Sequence, residues 1–143
     1  MDLETLFSIA SGLALLGWIL LIISFWKNLD AYIIGIIVTS LALLYVYLIF
    51  SNFKPVDFAS FNSLKGVKTL FGSDQVILAG WVHYLAFDLM TGLFIKNNSQ
   101  KNSISVFWVI PCLFFTFMLG PCGLLFYLLI RLVKTKKYFL AFI

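Results

Sequence analysis

The sequence predicts an all-α membrane protein: a four-helix transmembrane bundle with a short interfacial amphipathic helix between helices 2 and 3. Of its 143 residues, 62% are hydrophobic and only 11% are charged, and the mean hydropathy is +1.04. A soluble domain of this composition would have too little polar surface. Long uninterrupted apolar runs also exclude a β-barrel, whose strands alternate apolar and polar residues.

Four apolar stretches are near or above the roughly 20 residues that a helix needs to cross the hydrocarbon. They cover residues 7–26, 31–50, 76–95 and 104–130. At this length we expect one domain over residues 1–143, with helices satisfying the backbone in lipid. The first residues lack the basic segment and cleavage site of a signal peptide, so we expect the first helix to remain in the protein.

Basic residues predict the orientation of the bundle. Seven of them fall in the second connection and the C-terminal tail, namely Lys54, Lys65, Lys68, Arg131, Lys134, Lys136 and Lys137, against Lys27, Lys96 and Lys101 elsewhere. In a four-span topology those seven share a side, and the positive-inside rule places it, with both termini, in the cytoplasm or its equivalent. A basic rim beside anionic membrane lipid explains the net charge of +4, so no nucleic-acid partner is expected.

The connection over residues 51–75 has a helical pattern of its own. Apolar residues recur every three or four positions, at Phe58, Phe61, Leu64, Val67 and Phe71, opposed by Asn62, Lys65, Lys68 and Thr69. This spacing predicts an amphipathic helix in the membrane interface, with Asp57 as its N-cap. It either packs on the mouth of the bundle or serves as a lid for substrate access. Ser73 and Asp74 are expected to cap the third spanning helix.

The third span contains two residues that a bilayer rarely tolerates, His83 and Asp88. A charged side chain at mid-bilayer costs roughly 3 kcal/mol or more, so each is a candidate functional residue. At about 100° per residue, one helix face carries Trp81, Tyr84, Asp88, Thr91 and Gly92. Tyr84 can donate a hydrogen bond to Asp88 one turn away. His83 points about 140° from Asp88, beside Gly80 and Phe87. The alternatives are that Asp88 joins helices by hydrogen bonding and that His83 is a packing residue.

The fourth span contains Pro111 and the sequence Gly120-Pro121. Pro121 removes one helical hydrogen bond and frees the carbonyl of Phe117, so we predict a kink that serves either close packing or a pocket. Cys112 and Cys122 lie ten residues apart, about 15 Å along a single helix, which predicts two unpaired thiols. With one histidine, two separated cysteines and one intramembrane carboxylate, no metal site is expected.

Three blocks of sequence resemble the ABA4-like family of membrane proteins, whose plant members are tied to neoxanthin formation in carotenoid metabolism. They cover roughly the second half of the chain and read Phe61-x-x-Leu64-Lys65-Gly66-Val67-x-x-Leu70-Phe71, then Ala79-Gly80-Trp81-Val82-His83-Tyr84-Leu85-Ala86-Phe87-Asp88-Leu89, then Leu119-Gly120-Pro121-x-Gly123-Leu124-Leu125-x-Tyr127, closing on Arg131. The middle block is long and chemically unusual. The chain departs from the family pattern at Leu93, where the family has an arginine.

The resemblance implies isomerisation of an epoxy-carotenoid or other polyene end group, chemistry that needs an acid and a base but no cofactor. It assigns Asp88, assisted by Tyr84, as the acid and His83 as the base, or the reverse. Trp81, Phe87, Thr91 and Trp108 are the expected substrate-binding residues. The alternative is a non-catalytic subunit that binds pigment, lipid or a partner membrane protein, as a monomer or oligomer. A transporter is less favoured, because four helices without a repeat offer little for alternating access.

Overall fold

A computed structural model describes residues 2–26, 31–51 and 58–136, and every regular element in these ranges is a helix. The predicted all-α class is therefore confirmed for this part of the chain. The elements are α1 (Leu3–Ile23), α2 (Ala31–Ser51), a 3-10 helix (Phe58–Asn62), α3 (Leu64–Leu70), α4 (Asp74–Lys101), α5 (Val106–Leu119) and α6 (Pro121–Thr135). Among them, α1, α2 and α4 are long and apolar enough to cross a membrane.

Helix α4 is the centre of the molecule and packs against α1, α2, α5 and α6. Two glycines permit its closest contacts with α1. A Cβ atom at Gly92 would lie 2.7 Å from the Trp18 ring, and one at Gly17 would lie 2.5 Å from a methyl group of Leu89. Small residues let membrane helices approach closely, which matters because lipid supplies little hydrophobic driving force. These contacts fix α1 alongside α4.

The predicted fourth spanning helix is wrong, because residues 106–135 form a hairpin of two antiparallel helices. The ring centroids of Phe115 and Phe126 lie 5.3 Å apart. The ammonium group of Lys134, near the end of α6, lies 5.6 Å from the centroid of the Trp108 ring, near the start of α5. If 104–130 were one kinked helix, its two ends could not meet in this way. We call α5, Gly120 and α6 the hairpin.

Gly120 makes the reversal. Its φ of 46° lies in the left-handed region that glycine enters without steric cost. Its N–H still donates to the Thr116 carbonyl at 2.8 Å, which closes α5. Pro121 then begins α6, where its fixed φ suits the first helical position. Gly123 packs against the backbone of Thr116 and Cys112, and a side chain there would separate the two helices. Pro111 lies within α5 without ending it.

Each arm of the hairpin is too short to cross the hydrocarbon. Its arms have 14 and 15 residues, or about 21 and 22 Å of helix, against a hydrocarbon thickness of about 30 Å. Its tip at Gly120 meets Asp88, which lies 13 residues, or about 20 Å, from the end of α4 at Lys101. The two lengths agree and place the tip near the middle of α4. Irregular backbone at that depth is tolerated where protein covers it.

The hairpin reverses the position of the C-terminal residues. Leu3 and Phe7 lie beside Asp74 and Trp81 at one end of the bundle, which we call the N-terminal end. Lys101 and Lys136 lie at the other, which we call the C-terminal end, because α6 returns to the start of α5. The expectation that both termini share a side rested on a fourth crossing. The hairpin does not supply that crossing, so the described residues, which stop at Lys136, do not support it.

The second connection contains two short helices instead of one amphipathic helix. Ser63 separates them and caps α3, accepting a hydrogen bond from the Gly66 N–H at 3.0 Å. Ser73 caps α4 as predicted, accepting from the Val76 N–H at 3.4 Å. Helix α3 has no buried residue. The predicted cap Asp57, together with Lys27, Lys54 and Lys137, lies outside the described residues.

Candidate functional site

A cavity of about 730 Å³ lies between α2, α3 and α4 at the N-terminal end. Most of its walls are apolar, as is typical of small-molecule sites. Three tyrosine or histidine side chains also line it, two of them in the unusual block of α4. The lining residues are Tyr45, Leu48, Ile49, Phe61, Leu70, Phe71, Val76, Ile77, Ala79, Gly80, Trp81, His83 and Tyr84.

Gly80 and Phe71 bring the short helices onto α4. A Cβ atom at position 80 would lie 2.9 Å from Cε1 of Phe71. The absence of that carbon lets the ring rest on the α4 backbone, where it forms part of the cavity wall. Phe61 and Phe71 remain 60% and 47% exposed. The cavity is therefore open on the side of α3 and continuous with the surroundings of the bundle.

His83 lies in the cavity wall, where it contacts two aromatic side chains. Its ring centroid is 4.5 Å from that of Phe87, in a stacked arrangement, and 5.5 Å from that of Tyr45 on α2. The side chain is exposed, not buried in helix packing. The exposed ring therefore forms part of the cavity wall, where a bound molecule would meet it.

Tyr84 connects the cavity with the hairpin. Its side chain lines the cavity, while its hydroxyl donates to the carbonyl oxygen of Phe117 at 3.3 Å. That carbonyl is the acceptor which Pro121 was expected to free, and Tyr84 supplies the missing donor. The Tyr84 side chain also interacts with the Asp88 carboxylate, as the i,i+4 spacing predicts. One side chain thus touches the cavity, the hairpin and the buried acid.

Asp88 lies behind Tyr84, at the tip of the hairpin. It is only 9% exposed, and its Oδ2 atom is buried without a hydrogen-bond partner among the described residues. A Cβ atom at Gly120 would lie 2.6 Å from Asp88 Oδ1, so the glycine makes room for the acid. Asp88 is not among the cavity-lining residues. The structure therefore brings Tyr84 to both Asp88 and the cavity, but it does not bring Asp88 to His83.

The expected substrate-binding residues are divided between two regions. Trp81 lines the cavity, and its Nε1–H donates to Ser11 Oγ at 3.1 Å. Phe87 reaches the cavity only through its stacking on His83. The Thr91 hydroxyl donates to the Phe87 carbonyl at 2.7 Å within α4. Trp108 lies at the opposite end of the bundle, beneath Lys134. Leu93 packs against the core.

A second polar region, at the C-terminal end, was missed by the sequence interpretation. Tyr127 is fully buried, and its hydroxyl donates to Asn98 Oδ1 at 2.6 Å. Arg131 and Lys96 are also buried there, at 2% and 8% exposure. Asn98 lies beyond the predicted apolar stretch 76–95, yet α4 continues to Lys101. The sequence does contain a signal for this region: Arg131 follows Tyr127 by four residues in an apolar helix, so both side chains lie on one helix face.

Within residues 2–26, 31–51 and 58–136, no group of three histidine, cysteine or acidic side chains is placed to hold a metal ion. Cys112 is buried and Cys122 exposed, and both are free thiols. Their expected 15 Å separation along one helix does not hold, because they belong to the two arms of the hairpin. Cys112 Sγ donates to the Trp108 carbonyl at 3.2 Å, so it serves in local helix bonding.

Comparison with known proteins supports the resemblance carried by the sequence blocks. A family model described as ABA4-like, ABA DEFICIENT 4-like, matches residues 5–127. The match extends well beyond the second half of the chain and includes α1, α2 and most of the hairpin. Comparison with curated proteins gave no match, and comparison with solved structures gave none either.

Proposed function

The chain belongs to the ABA4-like family, and from that premise we propose that it binds a carotenoid-like polyene in the cavity and isomerises the end group of that substrate. One observation carries the proposal: His83 and Tyr84 lie side by side in the wall of an apolar cavity of about 730 Å³. Ligand sites of about 300–1,000 Å³ with apolar walls and a few polar groups are typical of small-molecule binding. The end group would occupy the cavity while the polyene extends into lipid.

The proposed reaction needs one acid and one base. A proton is delivered to the oxygen of an epoxide on the end group, and the carbon–oxygen bond opens. A proton is lost from a neighbouring carbon, leaving an allene and a tertiary hydroxyl. Substrate and product are isomers, so no electron is exchanged and no atom is gained or lost. Both proton transfers require groups within hydrogen-bond reach of the substrate.

We assign Tyr84 as the group that protonates the oxygen and His83 as the base, because both side chains line the cavity. This changes the sequence-based assignment, in which Asp88 acted as the acid directly. Asp88 lies behind Tyr84 and contacts it, so in this proposal it positions the Tyr84 hydroxyl, and the proton that His83 removes returns to Tyr84 before the next turnover. The reverse assignment, with His83 as acid and Tyr84 as base, uses the same three residues.

The test measures pigment binding and pigment conversion separately. The full chain is produced in a host that makes epoxy-carotenoids, purified in detergent, and its bound pigment and products are identified by mass spectrometry. Tyr84→Phe and His83→Gln should keep the bound pigment and lower conversion by about a hundredfold, the lower range for loss of a general acid or base. Tyr47→Phe is the matched control, since Tyr47 is 60% exposed and is not among the cavity-lining residues.

Asp88→Asn should alter the rate less than Tyr84→Phe does and should change its pH dependence, because Asp88 acts through Tyr84. Three results would count against the isomerase. If the purified wild-type protein carries no pigment, a carotenoid-like polyene is not its substrate. Pigment that is bound but never converted would favour the non-catalytic pigment-binding subunit. Full activity in both Tyr84→Phe and His83→Gln would show that these two residues are not the acid and the base.

A further inference from the structure

The two ends of the bundle differ in charge. The C-terminal end carries five basic residues among those described, namely Lys96, Lys101, Arg131, Lys134 and Lys136. Among the described residues, the N-terminal end carries two, Lys65 and Lys68, together with the acidic residues Asp2, Glu4 and Asp74. The positive-inside rule counts basic residues close to the membrane ends of helices. It therefore places the C-terminal end in the cytosol, opposite to the orientation that four spans would give.

The cavity lies at the other end. Its residues on α4 run from Val76 to Tyr84, which are two and ten residues from the start of the helix at Asp74. At 1.5 Å per residue, they lie about 3–15 Å from that start, whereas Tyr84 is about 26 Å from Lys101. In a hydrocarbon layer of about 30 Å, this depth corresponds to one leaflet. The hairpin packs against the other half of α4.

The opening of the cavity also faces this leaflet. Phe61, Leu64 and Phe71, from the 3-10 helix, α3 and its end, are 60%, 77% and 47% exposed. Lys65 and Lys68 are exposed on the same short helix. A segment with exposed apolar side chains and nearby lysines is typical of the boundary between head groups and acyl chains. Two of the three apolar side chains, Phe61 and Phe71, also line the cavity.

We propose that the cavity takes its apolar ligand laterally from the non-cytosolic leaflet, through its opening on the side of α3. The proposal rests on the proposed function, because it assumes that the cavity is the ligand site. Its orientation does not depend on that assumption. It follows from the hairpin, which returns the basic tail to the end of α4 opposite the cavity.

The orientation is tested first. Cys112 and Cys122 are replaced by alanine, and Lys65→Cys or Lys101→Cys is introduced into the full chain in the inner membrane of a carotenoid-producing bacterium. Both lysines are exposed. A membrane-impermeant maleimide should label Lys65→Cys in intact cells and Lys101→Cys only after permeabilisation. The opposite pattern, or the same behaviour at both sites, would overturn the proposal.

The ligand route is tested with the same reagent. Phe61→Cys, in the wall of the cavity, is blocked from the outside before pigment synthesis is induced, and Lys65→Cys is blocked in parallel. Both positions lie on the same segment, but only Phe61 lines the cavity. Blocking Phe61→Cys should lower the copurifying pigment by about tenfold, and blocking Lys65→Cys should leave it unchanged. Equal pigment in blocked and unblocked Phe61→Cys would overturn the route.

These outcomes separate the two proposals. If unblocked protein carries no pigment, the proposed function fails, and the ligand route fails with it, while the measured orientation stands. If pigment is bound and converted but Lys101→Cys is labelled from outside, the proposed function stands and the leaflet assignment fails.

Discussion

The two halves of α4 serve different purposes. From Asp88 to Lys101, the helix is packed against the hairpin and buries polar side chains, including Asn98 and Ser99. From Asp74 to Tyr84, it faces a cavity, and Trp81 and His83 are exposed. A single helix thus provides a packed scaffold in one half and the wall of an accessible cavity in the other. The hairpin stops at Asp88, near the middle of α4, so the change occurs within α4 and not between domains.

The largest effect on stability is expected at the hairpin tip. There Gly120→Ala should destabilise the packing of the hairpin against the half of α4 from Asp88 to Lys101. A non-glycine residue at φ 46° is strained, and its Cβ would lie 2.6 Å from Asp88 Oδ1. Left-handed backbone strain alone costs about 1–3 kcal/mol, so we expect the unfolding free energy to fall by about 2 kcal/mol or more. SDS titration in mixed micelles, followed by tryptophan fluorescence, measures it.

Gly35→Ala is the matched control for that prediction, because a Cβ there meets nothing within 4 Å. The unfolding free energy of Gly35→Ala should be unchanged or higher by up to about 1 kcal/mol. If Gly120→Ala unfolds at the same SDS fraction as Gly35→Ala, the tight turn against Asp88 does not exist in the membrane.

The hairpin also marks the limit of what the sequence could predict about the fold. Hydropathy predicted α1, α2 and most of α4, because each is a long apolar run. It also joined residues 104–130 into one span, since proline between two glycines is compatible with a kink or with a reversal. The choice depends on Gly120 adopting a positive φ and on Gly123 allowing backbone contact with Cys112 and Thr116. Neither is encoded in hydropathy.

A smaller effect on stability is expected where α6 meets the C-terminal half of α4. There Tyr127→Phe removes the hydroxyl that donates to Asn98 Oδ1 at 2.6 Å. Asn98 Oδ1 keeps a second donor, Asn102 Nδ2 at 3.2 Å, so the free energy of unfolding should fall by about 1 kcal/mol. The same SDS titration measures it against Tyr47→Phe, whose tyrosine is exposed. Equal stability of the two variants would mean that the buried polar contact adds nothing to the scaffold.

The candidate site was predicted in part. Helical geometry correctly separated His83 from Asp88 and joined Asp88 to Tyr84, because those relations are local to α4. The cavity depends on tertiary contacts that spacing does not contain, such as Phe71 on Gly80 and Tyr45 beside His83. Trp108 was expected in the site, yet the hairpin carries it to the other end of the bundle.

The smallest effect on stability, and the sharpest contrast between the halves, is expected for Gly80→Ala in the cavity wall. The new Cβ would lie 2.9 Å from Cε1 of Phe71, but that ring is 47% exposed and has room to move. We expect the unfolding free energy to change by less than about 1 kcal/mol, since alanine also favours the helix. Bound pigment should fall severalfold because the displaced ring narrows the cavity.

Gly12→Ala gains the same helix propensity without a neighbour within 4 Å and should retain its pigment. A strongly destabilised Gly80→Ala would mean that the cavity half is packed as tightly as the hairpin half, and the division of α4 would no longer hold.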